Sequence, residues 1–189
     1  MLRSDSTDLM AFTHVWLIGE YSKHDFQIKK KDTVIDVGAH IGLFSLYASQ
    51  HCTKGQIYAF EPMKENYEVL KSNIQINNFS NIKAENYAIS KSTSKIILYQ
   101  NNDDSGHSKF IKTNNPIEVN SKSLNDFFNE EKIEKCDLLK LDCEGSEYEI
   151  IEGLKDETFQ DITLFHNSIT FSQTGSTGFS GFFVCIFIP

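Results

Sequence analysis

The sequence predicts an α/β fold: a doubly wound, mostly parallel sheet of the Rossmann-like kind with a shortened C-terminal edge. Three observations point there. First, an apolar run over residues 33–37 leads into Asp36-Val37-Gly38-Ala39-His40-Ile41-Gly42, then a helical stretch over 43–52 and a second apolar run over 56–60. That run ends at Glu61, nineteen residues after Gly42. Strand, glycine turn, helix, strand and acid form the layout of a nucleoside-binding βαβ unit. Second, strand-like and helix-like segments alternate further along the chain, as in a parallel sheet with crossover helices. Third, residues 36–42, Glu61, Ala88 and residues 142–145 all follow strands, and ligands of such sheets sit at the carboxyl ends of the strands.

Taken in order, residues 1–31 form a cap segment of mixed character. Residues 11–21 hold apolar side chains and the single tryptophan, Trp16, and suit either a cap helix or a strand. The cofactor-binding core is expected over 32–165. Residues 64–77 place Tyr67, Leu70 and Ile74 on one helical face, and Asn77-Asn78 ends that helix. Residues 82–89 read as a third strand and 94–99 as a fourth, hairpin-like one. Residues 101–116 are rich in Asn, Asp, Ser and Gly and read as a loop long enough for a lid. A short helix is expected over 123–130, and a buried strand over 137–141 ends at Asp142. Ser146-Glu147-Tyr148-Glu149 has the capping-box pattern and opens a helix to about Leu154. Residues 162–165 read as a further short strand, and 166–189 as an atypical or truncated tail.

Composition narrows the class. At 189 residues the chain is expected to be one domain with a sizeable core. A net charge of −8 argues against nucleic-acid binding, which needs a basic footprint. The start lacks the apolar stretch of a signal peptide, and the longest apolar run, 182–188, is too short to span a membrane. The four cysteines contain no CxxC pair, so reduced thiols in a cytoplasmic protein are expected rather than a zinc site or disulfides.

The ligand class follows by comparison of glycine turns. A P-loop needs Gly-Lys-Ser/Thr, but Gly42 is followed by Leu43-Phe44. A dinucleotide turn needs a second glycine where His40 stands, and that side chain would obstruct a pyrophosphate. Asp-x-Gly-x-x-x-Gly suits a ligand without phosphates, and S-adenosylmethionine fits. The turn's backbone amides would face its carboxylate, Asp36 would favour its ammonium directly or through water, and Glu61 would accept both ribose hydroxyls.

Several blocks together resemble the FkbM family of S-adenosylmethionine-dependent methyltransferases. They are Val34-Ile35-Asp36-Val37-Gly38-Ala39-His40-Ile41-Gly42, Ala59-Phe60-Glu61-Pro62, Asn86-Tyr87-Ala88-Ile89-Ser90, Ser123-Leu124-Asn125-Asp126-Phe127, and Leu138-Leu139-Lys140-Leu141-Asp142-Cys143-Glu144-Gly145-Ser146-Glu147. The last, Lys-x-Asp-x-Glu-Gly-x-Glu, is the most distinctive. Together they cover about residues 33–155. The resemblance implies a Rossmann-like methyltransferase fold, with Asp36, Gly38, Ala39, His40, Gly42 and Asp142 lining the methionine end of the cofactor. It also implies Glu61 and Pro62 at the ribose and Tyr87 and Ala88 beside the adenine. The acceptor it implies is a hydroxyl on a sugar, glycolipid or natural product. The family fold ends in a helix and an antiparallel pair, but only 24 residues follow Phe165. Either a hairpin of 162–171 with 182–188 or an aberrant tail would result, and an exposed sheet edge would pair two copies into a homodimer.

Methyl transfer needs alignment and a base for the acceptor's proton. Asp142, Glu144 and Glu147 are the first candidates, and His107 on the polar loop is another. For Glu147 a purely structural role, stabilising a helix N-terminus, is an equal alternative. His40 is expected to shape the turn. Asp142 with His166-Asn167 would lack a second acid, so no metal is expected. The alternative to an active enzyme is a methyltransferase-like module that binds cofactor but has lost catalysis.

Overall fold

The computed structural model describes residues 1–4, 6–19, 21, 27–100, 107–108, 116–143, 146–155 and 164–165; for 100, 107, 108, 164 and 165 it describes the backbone alone. Glu144, Gly145, His166-Asn167 and the expected 182–188 strand lie outside them.

The elements are α1 (Asp8–Phe12), a π-helical turn (Thr13–Leu17), β1 (Thr33–Val37), α2 (Leu43–His51), β2 (Gln56–Phe60), α3 (Lys64–Ile76), β3 (Ile82–Glu85) and β4 (Ala88–Ile89). They continue with β5 (Ser94–Gln100), β6 (His107–Ser108), β7 (Pro116–Lys122), α4 (Leu124–Glu131), β8 (Leu138–Leu141), α5 (Glu147–Gly153) and β9 (Leu164–Phe165). The main sheet runs β3-β2-β1-β8-β9, and every neighbouring pair in it is parallel. β1 is therefore central, with Asp36 facing Ala59 of β2 and Lys140 of β8.

Alternation along the strands divides the interior into two cores. Val34, Ile57, Ala59 and Leu138 pack with Leu43, Phe44, Leu46 and Leu70 of α2 and α3 on one face. Ile35, Val37, Phe60, Leu139 and Leu141 pack with Leu124, Phe127 and Ile150 of α4 and α5 on the other. Strands buried on both faces explain why β1 and β8 read as continuous apolar runs. Each fully buried aliphatic or aromatic side chain contributes about 1.5–3 kcal/mol.

The structure corrects several expectations. Residues 82–89 are not one strand: β3 ends at Glu85, and Ala88–Ile89 joins a second sheet of order β4-β7-β5-β6. In that sheet β4 runs parallel to β7, while β5 is antiparallel to both β7 and β6. β7 is an element the sequence reading missed, and it takes Pro116 out of the expected loop. The capping box does not form. Ser146 makes no side-chain cap bond and lies in the helical region at φ −82° and ψ −3°. The α3 end does match, with Asn77 as C-cap and Asn78 at φ 56°. The cap segment is helical, and its Trp16 and Tyr21 rings pack on Tyr47 and Phe44 of α2.

Candidate functional site

The turn between β1 and α2 is shaped by contacts within the chain. Gly38 (φ 74°) and Gly42 (φ 87°) both occupy the left-handed region. A Cβ on Gly38 would lie 1.9 Å from the Asp142 carbonyl oxygen, and one on Gly42 would lie 2.3 Å from Leu70 Cδ1. The glycines are thus required by close packing of the chain on itself. His40, at φ 52°, supplies the expected turn shape. Its ring Nε2 accepts from Arg3 Nη2 at 3.0 Å, and Arg3 is also bonded to fully buried Asp8 at 2.8 Å. Burial pushes the Asp8 carboxyl up, but the Arg3 hydrogen bonds outweigh it and hold it below its usual value. This latch ties the cap segment to the turn.

Four amides of the turn are bonded within the chain rather than facing outward. Gly38 and Ala39 N–H both donate to the Phe60 carbonyl, at 3.0 and 2.9 Å, and Gly42 N–H donates to Ala39 O at 2.8 Å. His40 N–H donates to Glu61 Oε2 at 2.8 Å. At the start of α2 the N-cap Gly42 supplies no side-chain cap. An α-helix leaves its first-turn N–H groups without intrahelical partners, and the helix dipole favours negative charge there.

Glu61 is 4% exposed at the end of β2. Its Oε1 accepts from Met63 N–H at 2.9 Å and from Asn66 Nδ2 at 3.4 Å. Three donors against about four acceptor positions on a carboxylate leave room for one further hydroxyl rather than two. Burial pushes its carboxyl up to about 7, against the three hydrogen bonds that lower it. Asn86, between the two sheets, donates to the Glu61 and Pro62 carbonyls at 2.9 and 3.1 Å and so fixes the β2 exit. Tyr87 is half-buried against Phe60, and Ala88 is buried at the start of β4. Burial raises the Tyr87 hydroxyl far above its usual value.

Asp36 is fully buried and already bonded. Its Oδ2 accepts from Ser45 Oγ at 2.7 Å and its Oδ1 from Lys140 Nζ at 2.9 Å. It is therefore not available as a direct partner for a ligand ammonium, and the sequence reading assigned Lys140 no role. Lys140 also stands 3.4 Å from Asp142 Oδ2, and the Asp142 side chain is 34% exposed. Burial pushes the Asp142 carboxyl up, with the nearby Asp36 charge adding to it and Lys140 opposing it. Breaking a buried pair by removing one partner costs about 3–5 kcal/mol. Glu147 is buried, and its Oε1 accepts from Cys143 N–H at 2.9 Å. It holds the segment after Asp142 in place. Glu144 lies outside the described residues. His107 sits in β6, at the far edge of the second sheet from β4, and its side chain is not described. Among the described residues, no group of three or more His, Cys, Asp or Glu could hold a metal ion. No helix among them is long and apolar enough to cross a membrane.

These features sit in a chain that matches the family described as "Methyltransferase FkbM domain" over residues 36–181, well over half its length. Among curated proteins it is 27% identical over 146 residues to "Methyltransferase 1" of Beauveria bassiana, covering 66% of this chain and 59% of that protein. It is 28% identical over 160 residues to "Methyltransferase sdnD" of Sordaria araneosa, covering 67% of this chain and 62% of that one. The chain thus spans about 60% of the length of these relatives. Its fold is similar to that of a methyltransferase FkbM from Methylobacillus flagellatus KT, with a TM-score of 0.52 at 16% identity, over 75% of this chain and 32% of that one.

Proposed function

The chain belongs to the FkbM methyltransferase family, and from that premise we propose that it is an S-adenosylmethionine-dependent methyltransferase acting on a hydroxyl of a sugar, glycolipid or natural product. The observation that carries the cofactor is Glu61, a buried carboxylate with one acceptor position left at the exit of β2. It lies across the carboxyl ends of the strands from Asp142, on the other side of central β1. The uncapped start of α2 suits the methionine carboxylate, Glu61 a ribose hydroxyl, and Tyr87 and Ala88 the adenine. The sulfonium supplies an activated methyl group, so the protein's own work is alignment, exclusion of water and proton removal.

Asp142 is the first choice for the charged group facing that crevice, being part-exposed and aimed by backbone on both sides. Its N–H donates to Val37 O at 3.1 Å, and its carbonyl abuts Gly38. Glu147 serves better as a positioning residue than as a base. Glu144 and His107 stay as base candidates on sequence grounds. The hydroxyl acceptor comes from the family resemblance, and a homodimer comes from the exposed sheet edge expected of the sequence.

Calorimetric titration with S-adenosylhomocysteine tests the cofactor. Binding is expected, and its absence in correctly folded protein would overturn this function. A second reading, cofactor binding without transfer, is favoured by the capture of Glu147. Binding of S-adenosylhomocysteine with no methyl transferred to a panel of hydroxyl acceptors would establish it.

A further inference from the structure

Lys140 is the one buried cation in the described crevice, and methyl transfer as set out above leaves it without a function. It lies in β8 between Leu139 and Leu141, both of which face the α4 and α5 core. Its own side chain points the other way, to α2, where Nζ lies 5.4 Å from the centre of the Phe44 ring. An ammonium has three donors and no acceptor. Here two directions go to Asp36 Oδ1 at 2.9 Å and Asp142 Oδ2 at 3.4 Å, and the ring face takes the third.

Two carboxylates and one ammonium sum to a single negative charge. Asp36 is fully buried and also engaged by Ser45, so that charge can reach a ligand only at part-exposed Asp142. We propose that Lys140 is a positioning residue that keeps the Asp142 carboxylate ionised and turned to the crevice, so that the site presents one uncompensated negative charge to the positive end of its ligand. The ligand half of this proposal rests on the cofactor reading above; the effect on Asp142 does not.

The other titratable groups near the cluster do not substitute for Lys140. Glu147 is bonded to Cys143 N–H, and Glu61 to His40 and Met63 N–H. Tyr21 faces Lys140 from the cap segment, and burial pushes the Cys143 thiol well up, so it stays neutral. Remove Lys140, and two carboxylates share a buried site, where one of them takes a proton. A cationic ligand must then displace that proton to bind.

Wild type, Lys140→Met, Asp142→Asn and the double variant Asp36→Asn/Lys140→Met decide the matter. The double variant removes one carboxylate and the ammonium together, so it folds without an unpaired buried pair and still carries Asp142. Melting without ligand comes first. Relative to wild type, the melting temperature of Lys140→Met is expected to fall as pH rises from about 5 to about 8. The reason is a carboxyl that is protonated in the folded protein and ionised in the unfolded chain over that window. The double variant is expected to run parallel to wild type.

Titration with S-adenosylhomocysteine follows. Lys140→Met is expected to bind roughly tenfold more weakly than wild type near neutral pH, with the ratio shrinking toward about pH 9. Glu61's own titration cancels in that ratio. Asp142→Asn is expected to lose as much, and the double variant to stay within about threefold of wild type. Parallel melting of Lys140→Met and wild type at every pH overturns the proposal, as does a double variant that binds as poorly as Asp142→Asn. If Lys140→Met does not fold, the comparison of the double variant with Asp142→Asn decides alone. Wild-type protein that fails to bind S-adenosylhomocysteine overturns the cofactor reading instead, and the ligand-free melting curves still decide whether Lys140 sets the charge on Asp142.

Discussion

Glu61 shows how one side chain serves both the turn and the ligand. Its carboxyl, pushed up to about 7 by burial, accepts backbone N–H groups that hold the turn closed. An ionised carboxylate accepts a hydroxyl proton better than a neutral acid, so affinity for S-adenosylhomocysteine is expected to fall as pH drops through about 7. Calorimetry at several pH values checks this, and Glu61→Gln should flatten the dependence. The sign for stability is opposite. With its folded value raised above the ordinary 4.5, Glu61 favours the folded state at low pH and loses that contribution as pH rises toward about 7. Gly38 carries a second expectation at this scale. Gly38→Ala drives a Cβ into the Asp142 carbonyl at 1.9 Å from a left-handed backbone. A loss of about 3 kcal/mol or more in urea unfolding is expected. Asp36, the two glycines and Glu61 were legible because a βαβ unit fixes their spacing locally. Lys140 was not, since a lone charge in an apolar run declares itself only through Asp36, 104 residues away. Arg3 and Asp8 were hidden likewise in a segment without periodicity.

At the level of elements, the sequence reading located every main-sheet strand among the described residues but ran β3 on into β4, where the chain changes sheets. Residues 82–89 look like a single strand because β-prone Ile82, Tyr87 and Ile89 mark it and no glycine or proline interrupts it. The break comes from Asn86, whose side chain is held by the Glu61 and Pro62 carbonyls while the backbone leaves one sheet for the other. β7 was missed because only Ile117 and Val119 mark its apolar face, and its pairing partner β5 lies across a polar stretch. The capping box failed because Ser146 is in a helical conformation and makes no side-chain cap bond. The cap segment is part of the core rather than an appendage. Buried Tyr21 packs at 4.6 Å on Phe44, so Tyr21→Ala is expected to cost about 3 kcal/mol, measured by chemical denaturation.

For the molecule as a whole, the two cores share one central sheet, and the candidate ligand groups at the start of α2, after β2 and after β8 lie at one end of it. Anything that binds there and not to the unfolded chain should therefore stabilise the whole. S-adenosylhomocysteine at a hundred times its Kd is expected to add about 2.7 kcal/mol to unfolding, seen as a rise in Tm. The central place of β1 also sets an order in time. Its first partner, β2, follows after a single helix, but its second, β8, is the tenth strand or helix after β1 among the described residues. Pairings so distant in sequence form late and slow the search for the native state. As the chain leaves the ribosome, β1 and β2 can meet while Asp36 still lacks its lysine and Gly38 has no carbonyl to rest against. The ligand end of the sheet is then the last part to take its final shape, and a nascent chain interrupted before residue 142 would have a sheet but no binding site.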